Sequence, residues 1–346
     1  MKRQPWIHAI CVWRRLACLS HPNSIRSAQG SREFTVSSTR PYRTLEALHN
    51  VNVDTFREQY FASEQPVVLP RSEFRSLPAL KNWFESTNTQ SSSTSPSKTR
   101  LNLEYLHSHA ADALVPLELT ELATSSQFAN GNDSLSRQPG PTDIVRFRQF
   151  HAPLTLFLEW MRSAETSPQS TRLYLAQCQL LDLPQVLRDD FPTPDIVTRA
   201  GKGDIYDTNV WIGHPPTYTP LHRDPNPNLF VQLAGQKVVR LLAPSEGQAL
   251  FSSIRRQLGK SGGKDAAAIR GEEMMQGQER ELLDERVWGE TASAGSEGSS
   301  SGFEARLEAG DGLFIPKGWW HSIKGVGEGV TASVRVLVLL DWNLRS

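Results

Sequence analysis

Apolar residues along this chain mostly alternate or fall in short runs, a pattern that predicts β-strands more often than helices. Val67-Val68-Leu69 lies between Pro66 and Pro70 and reads as a short strand bounded by prolines. Arg172 to Gln177 alternates, and Asn209 to Gly213, Leu229 to Leu233, Lys237 to Ala243, Leu313 to Pro316 and the β-branched stretch Val330 to Leu340 read as further strands. Arg100 to Leu106 reads as another. Gly235 predicts a hairpin turn between the strands on either side of it, and Asp311-Gly312 predicts a second turn. Leu154, Phe157, Leu158 and Met161 keep helical spacing, and Leu77 to Phe84, Glu246 to Leu258 and Ala266 to Val287 read as helices. Many short strands separated by Gly and Pro predict a mainly β fold with packed helices, a double-sheet jelly roll.

Polar tracts divide the chain. Thr87 to Lys98 and Thr124 to Thr142 are poor in apolar residues and read as loops. Gly289 to Gly302 is almost entirely Gly, Ser, Ala, Thr and Glu, so an insertion over about 259–304 is expected to be disordered within a domain spanning 41–346. Residues 1–40 read as a leader. Lys2, Arg3, Arg14, Arg15, Arg26 and Arg32 all precede the first acidic residue, Glu33. Trp6, Ile10, Trp13 and Ala17 recur at helical spacing, and Ser is frequent from Ser20 onward. That composition predicts a mitochondrial transit peptide, with a basic, untargeted tail as the alternative.

Composition removes several classes. Formal net charge is +0, so whole-molecule charge predicts no nucleic-acid partner. The only cysteines are Cys11, Cys18 and Cys178, with no CxxC pair; zinc fingers and a disulfide framework are excluded, and a reducing setting is expected. No run of about 18 apolar residues occurs, so no membrane-spanning helix is expected.

The chemistry concentrates in two segments. In Thr219-Pro220-Leu221-His222-Arg223-Asp224, His222 and Asp224 are two positions apart and share a face if the segment is extended. A third ligand from a distant strand would complete the two-His, one-carboxylate set of non-haem Fe(II) oxygenases, which leaves positions open for co-substrate and O2. His321 is the candidate, at the end of Gly310-Asp311-Gly312-Leu313-Phe314-Ile315-Pro316-Lys317-Gly318-Trp319-Trp320-His321. Either element alone has an ordinary explanation: a surface His and Asp, or a packed histidine. His107, His109, His151 and His214 lack such context. A dicarboxylate co-substrate needs a fixed cation and hydroxyl donors. Lys237 is the candidate cation, with Arg240 as its rival, and Thr219, Tyr174 and Asn228 are candidate donors.

Together these segments resemble the JmjC (cupin-like) Fe(II)- and 2-oxoglutarate-dependent oxygenases, nearest the small branch that includes the asparaginyl hydroxylase of hypoxia-inducible factor. The match runs through Thr219, His222, Asp224, Asn228, Phe230, Gln232, Gly235 and Lys237 and resumes at Gly310 to His321. The resemblance implies a double-stranded β-helix with iron on His222, Asp224 and His321. It implies Lys237 on the distal carboxylate of 2-oxoglutarate, Thr219 and Tyr174 bonding that co-substrate, and Asn228 lining the site. It further implies O2 as second co-substrate and a protein or peptide side chain as the group hydroxylated. Lysine demethylation, small-molecule oxygenation, isomerisation on another metal and a non-catalytic binding module are the alternatives. The sequence departs from that pattern at Arg335, where the hydroxylase has Asn. There an arginine supplies a second cation, fills the pocket, or lies on the strand's outer face.

Overall fold

In the computed structural model, which describes residues 42–87, 98–122, 144–200, 205–263, 274–289 and 302–338, the alternating segments become strands of two main sheets. One has five strands, in the order β1 (Tyr42–Thr44), β12 (Gly302–Leu307), β11 (Gln236–Leu242), β14 (Trp320–Val326) and β9 (Thr217–Arg223). The other has eight: β2 (Val67–Leu69), β13 (Gly312–Ile315), β10 (Asn228–Ala234), β15 (Thr331–Val338), β8 (Ile205–Gly213), β7 (Thr171–Gln179), β5 (Leu114–Leu122) and β6 (Ile144–Pro153). A two-stranded ribbon pairs β3 (Phe84–Thr87) with β4 (Lys98–Leu101). The jelly-roll expectation agrees with this arrangement.

Strand periodicity sorts each sheet into an inner and an outer face. On β10 and β15 the alternate residues Leu229, Val231, Leu233, Val334 and Val336 join the largest apolar cluster. There they meet the helices α1 (Val53–Phe56), α2 (Ala79–Asn82), α3 (Leu103–Ala110), α4 (Leu154–Thr166), α5 (Gln185–Asp189) and α6 (Asp195–Ala200). Phe157 and Met161 of α4 are fully buried in that cluster, and each such side chain contributes about 1.5–3 kcal/mol relative to exposure. The opposite residues of the same strands, Asn228, Phe230, Ser333 and Arg335, line a cavity between the two main sheets.

Several expectations need correction. Gly235 makes no hairpin: β10 pairs with β13 and β15, whereas β11 pairs with β12 and β14. The chain crosses between sheets at Gly235, whose φ of +63° and 2.4 Å clearance from the Val330 carbonyl for any added Cβ both demand glycine. The expected strand at 100–106 ends at Leu101, because the Asn102 side chain accepts from the Tyr105 N–H and starts α3. The expected helix at 77–84 is confined to Ala79–Asn82, and Phe84 already opens β3. The insertion is not wholly disordered: α7 (Pro244–Gln257), α8 (Gln278–Trp288) and β12 are ordered within or beside it, and residues 264–273 and 290–301 lie outside the described residues. So do the leader over 1–40 and the tracts at 88–97 and 124–142. No helix among the described residues is long and apolar enough to cross a membrane.

Helices α7 and α8 cover the outer face of the five-stranded sheet. Phe251, Ile254, Leu283 and Val287 pack with Leu221, Leu242 and Trp320. Gly247 of α7 sits so close to the Trp320 ring that an added Cβ would lie 2.1 Å from its Cγ. Gly247→Ala is therefore expected to lower stability by about 1–3 kcal/mol through overpacking, seen as a lower urea midpoint. An unchanged midpoint would rule out this seating of α7.

Candidate metal centre

The site is assembled by the pairing of β9 with β14. In this antiparallel ladder His222 lies directly across from His321, and a bulge follows, with Ile323 opposite Thr219. The extra residue on β9 lets Thr219 and His222 both line the cavity while Leu221 faces the α7–α8 layer. Asp224 stands just past the end of β9 and also lines the cavity.

The three side chains converge. Ligand atoms of His222, Asp224 and His321 all lie within 4.8 Å of one another. His222 Nε2 is 4.0 Å from Asp224 Oδ1, and His321 Nε2 is 3.5 Å from Asp224 Oδ2. Each imidazole is held through its other nitrogen: His222 Nδ1 contacts the Pro220 carbonyl at 2.9 Å, and His321 Nδ1 the Trp319 carbonyl at 3.2 Å. Both Nδ1 atoms then donate, and both Nε2 atoms are turned to the Asp224 carboxylate as acceptors suited to a metal. Burial and the neighbouring His222 lower the His321 pKa to about 3, so its ring is neutral, as ligation requires. Burial pushes the Asp224 carboxyl up, but Arg335 and the two histidines outweigh it and hold the pKa at about 2.

Two further side chains grip Asp224. Asn228 Nδ2 donates to Oδ2 at 2.7 Å, and Arg335 Nη1 donates to Oδ1 and Oδ2 at 2.9 and 2.8 Å. Asn228 therefore acts on a candidate ligand as well as lining the cavity. Arg335 faces inward, so the outer-face placement is wrong.

The cavity has a volume of about 440 Å³. At its other polar group, Lys237 is 3% exposed, and its Nζ donates to Ser333 Oγ at 2.6 Å and Tyr174 Oη at 3.4 Å. Both partners are hydroxyls; among the described residues no carboxylate meets this lysine. Burial lowers its pKa to about 7 and pushes the Tyr174 phenol up. Arg240, three residues along β11, points the other way and pairs with Glu304 at 2.8 Å. Thr219 and Tyr174 line the cavity as expected. Trp211 and Ser333 also line it, without having been singled out in the sequence. Ser333 was detectable two positions before Arg335 on one strand face, whereas nothing local marked Trp211.

These residues suit a ferrous ion and a dicarboxylate. Two imidazole nitrogens and one carboxylate form the borderline-to-hard donor set that suits Fe(II). A buried ammonium without a counter-ion and the orphaned Asn228 Oδ1 are left for a ligand to satisfy.

A family model for the cupin-like domain matches residues 53–338. The chain belongs to that cupin-like family. Its relatives include "Lysine-specific demethylase JMJ30" of Arabidopsis thaliana, 26% identical over 317 residues, covering 90% of this chain and 60% of the relative. "Jumonji C domain-containing protein 5" of Drosophila melanogaster is 25% identical over 284 residues, covering 82% and 57%. "Lysine-specific demethylase 8" of Xenopus tropicalis is 24% identical over 281 residues, covering 81% and 49%. The chain thus spans about half to three-fifths of the length of these relatives. The cupin-like match takes in all three candidate ligands and Lys237.

The buried lysine makes a pH prediction. Its folded pKa of about 7 lies below the ordinary 10.5, so the unfolded chain binds the proton more readily and burial costs stability below pH 10.5. That cost grows as pH falls from 10.5 to 7 and is constant below 7. Lys237→Met should therefore raise the melting temperature of the ligand-free protein, with a gain that is largest at and below pH 7 and shrinks towards pH 10.5. A gain independent of pH would show that the lysine is not buried uncompensated.

Proposed function

We propose that this chain is an Fe(II)- and 2-oxoglutarate-dependent dioxygenase that oxidises a C–H bond on a protein side chain. The observation that carries this reading is the convergence of His222, Asp224 and His321 in the same cavity as a buried lysine that meets no carboxylate among the described residues. Iron, 2-oxoglutarate and O2, when bound, supply the oxidising power for C–H hydroxylation. The protein's own residues do the rest. His222, Asp224 and His321 would hold the metal, with the Pro220 and Trp319 carbonyls fixing the two rings. Lys237, with Tyr174 and Ser333 around it, would take the distal carboxylate, and Thr219 lines the same cavity. The apolar residues Phe230, Ile315 and Ile323 exclude water from the same space.

Hydroxylation of a protein side chain is the first reading for the substrate. Lysine demethylation is the second, favoured by the names of the Arabidopsis and Xenopus relatives. Both begin with hydroxylation of a carbon, on the side chain itself or on an N-methyl group, so one cavity serves either. The chain's coverage of those relatives leaves out much of their length, and the substrate is proposed on the cavity alone. A mitochondrial address for the 1–40 leader remains part of this proposal and would favour a non-histone target.

His222→Ala should lose stoichiometric Fe(II) binding together with 2-oxoglutarate-dependent succinate release. The wild type should form succinate even without added substrate, through uncoupled turnover. Succinate formation that survives in His222→Ala would overturn the oxygenase reading. Wild-type metal content dominated by another ion, with no binding of 2-oxoglutarate, would point instead to an isomerase or a binding module.

A further inference from the structure

Arg335 has more hydrogen-bonding capacity than Asp224 uses. A guanidinium carries five N–H donors in a planar fork. Here Nη1 alone reaches Asp224, and Nε is buried with no partner. The guanidinium carbon lies 4.9 Å from the Trp211 ring centroid, a cation–π contact that restrains its plane. A buried, unpaired donor on a charged group is costly unless a ligand completes it.

Strand β15 supplies the spacing. Ser333 and Arg335 are two residues apart on the face turned to the cavity, so their Cα atoms are separated by roughly 6–7 Å along the strand. Ser333 accepts from Lys237 at one end, and Arg335 grips the candidate metal ligand Asp224 at the other. One strand face thus marks both ends of a space fit for a short dicarboxylate, with a cation at each.

We propose that Arg335 is a second anchor for the co-substrate: its Nε edge receives the carboxylate at the metal end of 2-oxoglutarate, while Nη1 stays on Asp224 and Lys237 takes the distal carboxylate. This rests on the oxygenase reading above and adds to it a division of labour between the two cations. The arginine that orients the metal ligand also orients the co-substrate, so the two are positioned against one rigid group. An arginine suits this task because its fork serves two acceptors in one plane, which an ammonium cannot do.

The test is binding rather than turnover, using the full chain saturated with Mn(II) in place of iron. Dissociation constants are measured by calorimetry for 2-oxoglutarate and for 2-oxopentanoate, which keeps the 2-oxo acid end and lacks the distal carboxylate. Arg335→Met should weaken both by a similar factor, roughly tenfold or more for a lost charged hydrogen bond. Lys237→Met should weaken 2-oxoglutarate and leave 2-oxopentanoate unchanged. Arg335→Lys should recover only part of the loss. If Arg335→Met fails to hold Mn(II), Arg335→Lys and Arg335→Gln carry the same comparison. Unchanged or tighter 2-oxoglutarate binding in the Arg335 variants would overturn the proposal, tighter binding meaning that the arginine fills the space. A loss confined to 2-oxoglutarate would also overturn it, by moving Arg335 to the distal end. If the wild type binds neither acid with Mn(II) saturating, the oxygenase reading itself fails and the proposal falls with it.

Discussion

The site depends on one pairing register. His222 and His321 are nearly a hundred residues apart, and they meet because β9 and β14 are antiparallel neighbours aligned at those two positions. A slip of one residue would turn one imidazole to the outer face and bring an apolar side chain inward. The register is held from behind. Leu221 and Trp320, which flank His222 and His321 in sequence, point outward into the layer under α7 and α8. Ser322, at the bulge, donates to the Thr219 carbonyl and accepts from Trp288. The polar residues that face the cavity and the apolar residues that anchor the strands alternate, and each set fixes the other.

Charge inside the cavity is arranged as unequal halves. Asp224 is the carboxylate of the candidate metal end, and three hydrogen bonds from Asn228 and Arg335 favour its ionised form. Arg335 makes that end preorganised before loading, so little rearrangement is needed when a cation arrives. The Lys237 end is the reverse. Among the described residues its ammonium meets two hydroxyls and the Phe230 ring but no carboxylate, and it sits in an environment that favours the neutral amine. Burial of the lysine carries that cost, and a carboxylate placed opposite it would relieve it. The same uncompensated burial would favour an anionic ligand over a neutral one.

The sequence was most legible where local pattern and chemistry coincide. The HxD pair, the apolar strand running into His321 and the inward placement of Lys237 follow from alternation along single strands, and alternation also separates Lys237 from Arg240. It was less legible where partners are remote. A glycine between two strands looks alike whether the strands pair or part into different sheets, and only the distant contact of Gly235 with Val330 distinguishes them. The helix that begins at Leu103 has a local signature, because Asn102 ahead of Leu103, Leu106 and Ala110 carries a helix N-cap and helical spacing. Strand β5 alternates in Val115, Leu117 and Leu119, whereas β6 breaks the pattern, with Phe147 and Ala152 buried but Gln149 and His151 exposed. Trp211 as a seat for Arg335 could not be read at all, since that contact depends on how β8 pairs with β15.

The insertion shows how an irregular stretch can serve a regular site. A two-sheet barrel with one helical layer leaves the outer face of the second sheet open, and that face carries Leu221, Leu242 and Trp320 beside both candidate histidine ligands. Exposed, these would weaken the strands that set the register. Helices α7 and α8 close that face with Phe251, Ile254, Leu283 and Val287, and the Phe251 ring meets Trp320 at 5.1 Å between centroids. Lys324 of β14 extends the seam, pairing with Asp284 at 2.8 Å and lying over Tyr218 and Trp288. Met274, from the segment between the two helices, reaches the cavity itself. The same insertion that braces the ligand strands from outside therefore also contributes a side chain to the cavity wall, so its sequence bears on both the stability of the metal end and the shape of what can enter.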